Sequence, residues 1–247
     1  MAPVPRIFLL SPATCSARRA LMLRSPAARF ELAARIQSPD GAPLGDVFAF
    51  LSGLYFRGKL TYAQVFARPP RRLSEGIRNQ ESGVRNQESG KRTRAARHLN
   101  PGSRILIPQV NGVFVITPSR GLQLPDYPVT AAVLEEFARV RIDAANDAYR
   151  RPLDASARLV AERAGPRAEV VLLGSIATGK YSDVLLDIFG DRLLFPVEFV
   201  GRGAMSRGGL MLRCARAGEE LTCVPVRGTV LHGERAPRLE PIRRRRD

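Results

Sequence analysis

A glycine-rich segment that ends in a lysine is the part of the sequence most typical of phosphate chemistry. Gly174 and Gly179 are separated by four residues and followed by Lys180, which is the spacing of a phosphate-binding P-loop. Tyr181 stands where a P-loop has the Ser or Thr that holds magnesium, and no later segment is a convincing strand ending in a metal-binding Asp. The match has two interpretations, a P-loop-like NTPase or a chance match in a glycine-rich loop. In both, Lys180 could contact a phosphate or a carboxylate.

Polar loops that follow the predicted strands form the candidate ligand site. In open α/β sheets, ligands bind beyond the carboxyl ends of the strands, and four loops at such positions are rich in Ser, Thr, Gly and basic residues. One of them, residues 201–209, approaches a helix whose predicted N-cap is Ser206. It could bind an anion, or its glycines could simply permit tight packing. The predicted ligand- and phosphate-binding residues are Ser11, Thr14, Ser16, Ser119, Arg120, Gly174, Ser175, Lys180, Arg202 and Arg207.

Two carboxylates are the first candidates for a catalytic base. Asp126 and Asp183 lie in or beside these loops, and a surface or capping role is the alternative for each. Cys15 could be a reactive thiolate or a small buried residue. The two histidines, His98 and His232, fall in a predicted insert and a predicted tail, which disfavours a Ser-His-Asp triad.

Composition argues against several classes of protein. Three cysteines without CxxC spacing and two histidines predict neither a disulfide framework nor a metal site, and no cofactor is expected. No apolar run approaches the roughly 18–20 residues that a membrane-spanning helix needs. The apolar run at residues 7–10 is also shorter than the core of a secretory signal. We therefore expect a cytoplasmic protein without a membrane partner.

The charge of the chain is compatible with a nucleotide or nucleic-acid partner. The net charge is +16 at pH 7, and residues 70–99 together with residues 234–247 supply half of it. Arginine accounts for nearly all the basic residues, with Lys59, Lys91 and Lys180 as the exceptions, which indicates a coding bias and weakens any inference from the arginine count. A lysine amine can shift its pKa where a guanidinium cannot. The aromatic residues around Lys59 have the spacing of a helix core, so core packing is their default role.

A duplicated segment divides the chain. Residues 76–82 and 83–89 are near-identical heptapeptides flanked by Gly and polar residues, and each has a single apolar position, so a coiled coil is not expected. We predict that residues 69–102 are a disordered insert and residues 231–247 a basic disordered tail. Residues 1–68 and 103–230 then form one discontinuous domain.

Apolar periodicity outside the insert alternates between strand and helix. The predicted strands lie at residues 6–10, 105–107, 113–117, 169–173, 192–195 and 222–226. The predicted helices lie at residues 27–37, 44–67, 130–149 and 207–217, with another capped by Asp154 and ended by Gly165. This order predicts a three-layer, Rossmann-like α/β fold with a mostly parallel sheet.

Three segments resemble a family of uncharacterised bacterial and phage proteins with a Rossmann-like domain. They are residues 7–15, residues 52–63 (Ser-Gly-Leu-Tyr-Phe-Arg-Gly-Lys-Leu-Thr-Tyr-Ala) and residues 115–126 (Val-Ile-Thr-Pro-Ser-Arg-Gly-Leu-Gln-Leu-Pro-Asp). The chain lacks the Gly-Lys pair that follows the cysteine of the family's Val-Ser-Cys-Gly-Lys-like turn. That family is distantly similar to the nucleobase-handling domain of archaeosine synthase and to the uracil-DNA-glycosylase-like fold. The resemblance implies a nucleotide, nucleobase or nucleic-acid ligand at the strand-end loops.

The sequence leaves three hypotheses for function. The first is a nucleotide- or nucleic-acid-directed enzyme that acts on a base or an N-glycosidic bond. In it, hydroxyls line the pocket, Lys180, Arg202 and Arg207 neutralise phosphate, and Asp126 or Asp183 is the base. The second is a non-catalytic nucleic-acid-binding module that uses the same basic face, and the third is a P-loop-like NTPase.

Overall fold

The computed structural model describes residues 3–71, 73, 112–229, 236, 237 and 239 of the chain. Within these residues the fold is mixed α/β. The strands are β1 Arg6–Leu10, β2 Ala42–Pro43, β3 Val113–Ile116, β4 Leu122–Gln123, β5 Pro128–Val129, β6 Glu169–Leu173, β7 Leu193–Pro196 and β8 Cys223–Pro225. The helices are α1 Arg18–Arg24, α2 Glu31–Gln37, α3 Leu44–Ser52, α4 Leu54–Phe66, α5 Ala131–Arg139, α6 Asp147–Ala164, α7 Ser182–Phe189 and α8 Ala204–Ala217.

Six strands form one mostly parallel sheet in the order β4-β3-β1-β6-β7-β8. The four inner strands are parallel, and β4 and β8 close the two edges in antiparallel pairings. The two central strands are continuous apolar runs, and their residues 7–10 and 170–173 are buried. Burial on both faces is typical of a parallel sheet covered by helices. The predicted α/β class is confirmed.

Two helix pairs cover the sheet. Helix α4 packs along α8 and contacts β1, whereas α6 packs along α7. Connections between parallel strands are almost always right-handed. The chain moves one way across the sheet from β1 to β3 and the opposite way from β3 to β6 and β7, so the helices of these two sets of connections lie on opposite faces of the sheet. The result is the three-layer arrangement that the sequence predicts.

The chain reverses direction across β1. It passes from β1 to β3 on one side of that strand and then returns to β6 on the other. The carboxyl ends of β1 and β6 therefore border a topological switch point, the place where open α/β sheets bind their ligands.

Three helix predictions require correction. The predicted helix at residues 44–67 is two helices, because Gly53 adopts φ 59° and ψ −133° between α3 and α4. The helix predicted at residues 130–149 ends at Arg139, and the next helix begins at Asp147 with Asn146 as its N-cap. Asp154 is therefore not a cap. It lies inside α6 and pairs with Arg158 one turn later.

Other predicted boundaries shift by a few residues. The helix predicted at residues 27–37 begins at Glu31, and the last helix begins at Ala204. Helices α1 and α7 and the short strands β2, β4 and β5 were not predicted. The strands at residues 6–10 and 169–173 have the predicted bounds.

The start of the predicted insert belongs to the packed part of the chain. Leu73 is buried at 2% exposure among the core side chains. Outside the described residues lie residue 72 and residues 74–102 of the predicted insert, with His98, and the predicted strand at residues 105–107. Most of the predicted tail, with His232, also lies outside them. Within the described residues, no helix is long and apolar enough to cross a membrane.

Candidate functional site

A buried lysine at the switch point is the most unusual group of the structure. Lys59 of α4 is only 1% exposed. Its Nζ donates to the backbone oxygen of Ser11 at 2.7 Å and lies 2.9 Å from the Ser11 hydroxyl. The Nζ also lies 4.5 Å from the ring centroid of Tyr55 and 4.8 Å from that of Phe56. Burial lowers the pKa of Lys59 to about 7, so this amine can gain or lose a proton near neutral pH.

Two glycines bring the helix of Lys59 against α8. A Cβ on Gly58 would lie 2.5 Å from the backbone oxygen of Gly208, and a Cβ on Gly208 would lie 2.7 Å from that of Leu54. The backbones of α4 and α8 thus touch where they cross, a contact that only glycine allows. The crossing sets Tyr55 and Lys59 of α4 beside the first turns of α8. This observation supports the tight-packing interpretation for Gly208, whereas a Cβ on Gly203 would meet nothing within 4 Å.

Arg207 of α8 reaches from this crossing toward the ends of the strands. Its Nε donates to the backbone oxygen of Phe199 at 3.1 Å, and its Nη1 lies 3.4 Å from that of Gly174. The guanidinium also lies 5.3 Å from the ring centroid of Phe199. Arg207 therefore lies at the carboxyl end of β6, whereas the sequence places it only in the segment that follows β7.

Tyr181 folds under the glycine-rich loop. Its hydroxyl accepts a hydrogen bond from the Ser175 backbone N–H at 2.8 Å, and burial raises its pKa to about 12. A Cβ on Gly174 would lie 2.8 Å from both the Ser11 Cβ and the Tyr181 hydroxyl, so these residues pack closely. In a P-loop, the backbone N–H groups cradle the phosphates. Here Tyr181 occupies one of them, which does not favour the NTPase interpretation.

Tyr55 completes this group with an unsatisfied hydroxyl. The ring is half-buried, and the hydroxyl oxygen is buried; it makes no hydrogen bond of normal geometry with the described residues, although the side chains of Ser11 and Arg207 are close enough to interact with it. Burial raises the pKa of Tyr55, and the nearby Arg207 guanidinium partly offsets that rise. Together, the switch-point cluster consists of Ser11, Tyr55, Lys59, Tyr181 and Arg207.

A cavity of about 300 Å³ lies on the other side of the loop that follows β1. Its apolar wall includes Pro118, Phe137, Val140 and Ile142, and its polar lining is Thr14, Ser16, Arg139, Arg141 and Lys180. We call it the Thr14 pocket. Of the described residues that line it, none is acidic, although Arg139 pairs with Glu135 and Arg141 with Asp143 outside the lining. Three cations and two hydroxyls thus surround a small cavity at the carboxyl edge of the sheet.

Cys15 also lines the Thr14 pocket, but as a buried thiol. It is 4% exposed, and its Sγ lies 3.5 Å from the backbone oxygen of Ala13. Burial raises the pKa of the Cys15 thiol to about 12. The buried interpretation of this cysteine is therefore favoured over that of a reactive thiolate.

Ser119 and Arg120 are engaged with other side chains of the protein. Arg120 forms a bidentate ion pair with Glu136 of α5, and its Nη1 donates to the Tyr127 hydroxyl. The Ser119 hydroxyl donates to the same carboxylate. The Arg120 guanidinium is the main cause of the lowered pKa of Glu136. These contacts hold the loop after β3 to α5, and neither residue lines the Thr14 pocket.

Arg202 contacts its own loop and helix and a residue near the end of the described chain. Arg202 donates to the Ser206 hydroxyl at 3.3 Å and to the backbone oxygen of Pro237 at 3.0 Å. Ser206 lies in the first turn of α8 and is not its N-cap, which is Gly203. Helix α8 therefore begins earlier than predicted: the Gly203 backbone is extended, and the residues from Ala204 onward are helical.

The two candidate carboxylates are both exposed. Asp183 lies in the first turn of α7, and its carboxylate packs so closely over Gly179 that a Cβ there would lie 2.5 Å from it. It therefore neighbours Lys180 at the rim of the Thr14 pocket. Asp126 lies between β4 and β5, at the antiparallel edge of the sheet, and lines neither site.

Sequence reasoning did not include Lys59, Tyr55, Arg139 or Arg141 among the site residues. One feature of the sequence could have pointed to Lys59: a lysine on the apolar face of a helix is unusual in a chain that otherwise uses arginine. Arg139 and Arg141 carried none, because they fall where one continuous helix was predicted. Within the described residues, no group of three metal-ligating side chains is found.

Comparisons with protein-family models, curated proteins and solved structures find no match for this chain. The resemblance to the bacterial and phage Rossmann-like family therefore stays a prediction. A fold does not by itself determine function, so the residues of the two sites are the basis for any functional proposal.

Proposed function

We propose that the chain is a nucleotide- or nucleic-acid-directed enzyme that acts on a base or an N-glycosidic bond. The observation that supports this most is the lining of the Thr14 pocket, which combines cations and hydroxyls without a carboxylate at the carboxyl edge of an open α/β sheet. A phosphorylated ligand satisfies both features, because its charge suits the cations and its oxygens accept from the hydroxyls.

The size of the Thr14 pocket suits a single base or nucleotide. Its volume of about 300 Å³ is at the lower end of small-molecule sites. The apolar wall of Val140 and Ile142 could cover the face of a base, and the guanidinium groups of Arg139 and Arg141 could stack on a base or hold a phosphate. A larger nucleic acid would present one base there and lay its backbone along the basic edge.

Asp183 is the proposed base for the reaction. In hydrolysis of an N-glycosidic bond, water attacks C1′ while the nucleobase departs with the electrons of the C1′–N bond. As the general base, the carboxylate of Asp183 would take the proton that the water loses, and the departing nucleobase would be protonated in turn. Its place beside Gly179, next to Lys180, puts this carboxylate closer to the Thr14 pocket than Asp126, which is the second candidate.

The binding part of the proposal is tested with labelled tRNA and single-stranded DNA over a salt series. Replacing Arg139, Arg141 and Lys180 together by Ala should weaken binding at least tenfold. It should also reduce the slope of log affinity against log salt by about 0.7–0.9 for each phosphate that the variant no longer neutralises. The matched control replaces Arg150, Arg151 and Arg158, three exposed arginines of α6, and so removes the same charge. Equally weakened binding in both variants would assign recognition to overall charge and contradict the pocket.

The catalytic part is tested by chromatography of free base released from nucleosides, nucleotides and oligonucleotides. Asp183→Asn should abolish release while binding persists, because the amide cannot accept a proton. Binding without base release by the unaltered protein would contradict the enzyme.

A non-catalytic nucleic-acid-binding module is the second candidate. The observation that favours it is that both candidate carboxylates, Asp126 and Asp183, are exposed and neither lines the Thr14 pocket. This candidate requires the same salt-sensitive binding as the enzyme. It also requires Asp183→Asn to have no effect beyond a change of one charge.

A further inference from the structure

The switch-point cluster contains positive charge without a counter-charge. Among the described residues, neither Lys59 nor Arg207 forms an ion pair. The groups near Lys59 are the Ser11 hydroxyl and backbone oxygen and the rings of Tyr55 and Phe56. Tyr181 at the start of α7 and Arg207 of α8 interact with Tyr55, and neither is acidic. An isolated buried ammonium is costly unless a negative charge compensates it.

Capping of the strand end explains only part of this arrangement. Lys59 satisfies the Ser11 carbonyl at the end of β1, which a hydroxyl or an amide could also do without a charge. It does not explain why a half-buried Arg207 lies near the same residues, or why the buried Tyr55 hydroxyl has no normal hydrogen bond within the described structure. Two cations with a further hydrogen-bond donor beside them can hold an oxyanion through charge-assisted hydrogen bonds.

We propose that the switch-point cluster binds a phosphate-like oxyanion between Lys59 and Arg207, with Tyr55 as a further donor. The half-buried Tyr55, Ser175 and Arg207 give this site its access to solvent. The place agrees with the general position of ligands in open α/β sheets, beyond the ends of β1 and β6. The site is separate from the Thr14 pocket, and it does not depend on the proposed reaction.

Binding at this site is coupled to the uptake of a proton. An anion beside Lys59 stabilises the ammonium, so the pKa of Lys59 rises from about 7 when the oxyanion binds. Below pH 7 the free protein already carries this proton. Above pH 7 the proton must be taken up, and affinity falls as the pH rises. The tyrosines do not contribute in this range, because burial raises the pKa of Tyr55 and raises that of Tyr181 to about 12.

Sulfate is the probe for the test, because it has the shape of phosphate and does not itself titrate between pH 6 and pH 8. Its Kd is measured by calorimetry at both pH values and in buffers of different ionisation enthalpy. We expect the Kd to rise about tenfold from pH 6 to pH 8, with uptake of up to one proton at pH 8. A Kd that is the same at both pH values, or no binding of sulfate at either, would overturn the proposal.

Three variants assign the effect to the cluster. Lys59→Met should weaken sulfate binding and abolish its pH dependence, and circular dichroism checks that the variant is folded. Arg207→Met should weaken binding by the same factor at both pH values and leave the tenfold ratio intact. Arg151→Met, which removes an exposed arginine of α6 that belongs to neither site, is the control and should change neither the affinity for sulfate nor its pH dependence. A Lys59→Met protein that keeps the tenfold ratio would refute the role of this amine.

Inorganic phosphate and a nucleoside monophosphate then distinguish the two sources of such an oxyanion. At pH 8 both are dianions, so a difference between their affinities measures the contribution of the nucleoside to binding. Tighter binding of the nucleotide, abolished when Arg139, Arg141 and Lys180 are replaced, would join this site to the proposed function. Equal affinity would mean that this site takes free phosphate, and the inference would stand; the proposed function, which rests on the Thr14 pocket, would then be decided by the tests of that pocket.

Discussion

Lys59→Met should make the protein more stable, and by an amount that depends on pH. The pKa of Lys59 is lowered from 10.5 to about 7 by burial. Between these two values the unfolded chain binds more protons than the folded protein, so stability rises with pH in that range. Below pH 7 both states carry the proton, and the full cost of burying the charge is present. Methionine removes this cost because it has a similar length and no charge.

The magnitude follows from the shift. At about 1.4 kcal/mol per unit, the cost of the buried charge below pH 7 is roughly 5 kcal/mol. The two oxygen atoms of Ser11 that lose a partner in the variant offset about 1–3 kcal/mol of this. The net gain at pH 6 is therefore about 2–4 kcal/mol. Between pH 6 and pH 8 the wild-type cost declines by roughly 1 kcal/mol, so the advantage of the variant should shrink by that amount.

Urea unfolding of both proteins at pH 6, 7 and 8 measures this difference, and the contributions of all other titrating groups cancel in the comparison. Lys180→Met is the control, since Lys180 is exposed and should show no pH-dependent difference from wild type. The reasoning would be refuted by a Lys59→Met variant whose stability differs from wild type by the same amount at all three pH values. A loss of stability at pH 6 would show that the hydrogen bonds to Ser11 outweigh the buried charge.

Three further predictions concern positions around the sites. Gly208→Ala should destabilise the protein by about 1–3 kcal/mol in urea unfolding, because its Cβ would lie 2.7 Å from the Leu54 backbone oxygen and separate α4 from α8. Gly203→Ala, whose Cβ meets nothing within 4 Å, should change stability far less. Glu136→Gln should destabilise by roughly 0.5–1 kcal/mol, because it weakens a bidentate pair with Arg120 that solvent partly screens, and the loss should vanish as pH falls below the lowered pKa of Glu136.

The sequence allowed five of the six strands of the sheet to be predicted, all but β4, and left much of the helix layer undetermined. Strand β6 was predicted to the residue because its apolar run is continuous and bounded by polar residues. The division of residues 44–67 at Gly53 was missed because the apolar pattern continues across the break, and only the positive φ of that glycine reveals it. The end of α5 at Arg139 was missed for a similar reason, since Val140 continues the apolar face without the helix.

The position of the site was predictable, whereas its composition was not. Ser11 and Arg207 follow strands or begin a helix, so the general rule for open sheets places them at the ligand-binding edge. The burial of Lys59 depends on how α4 is turned against β1 and α8, which is set by the contact of Gly58 with Gly208 from a distant segment. No local pattern contains that contact. A pairing such as Arg120 with Glu136 is likewise visible only in three dimensions.

The hydrogen bond between Lys59 and Ser11 joins groups that are 48 residues apart, at the end of β1 and in the middle of α4. The amine is 1% exposed while this contact is closed, so an acylating reagent cannot reach it. Once exposed, the Lys59 amine reacts as an ordinary lysine does, because only burial lowers its pKa. The rate at which Lys59 is acylated, relative to the exposed Lys180, therefore measures how often α4 separates from β1. Such a measurement requires neither a substrate nor a label.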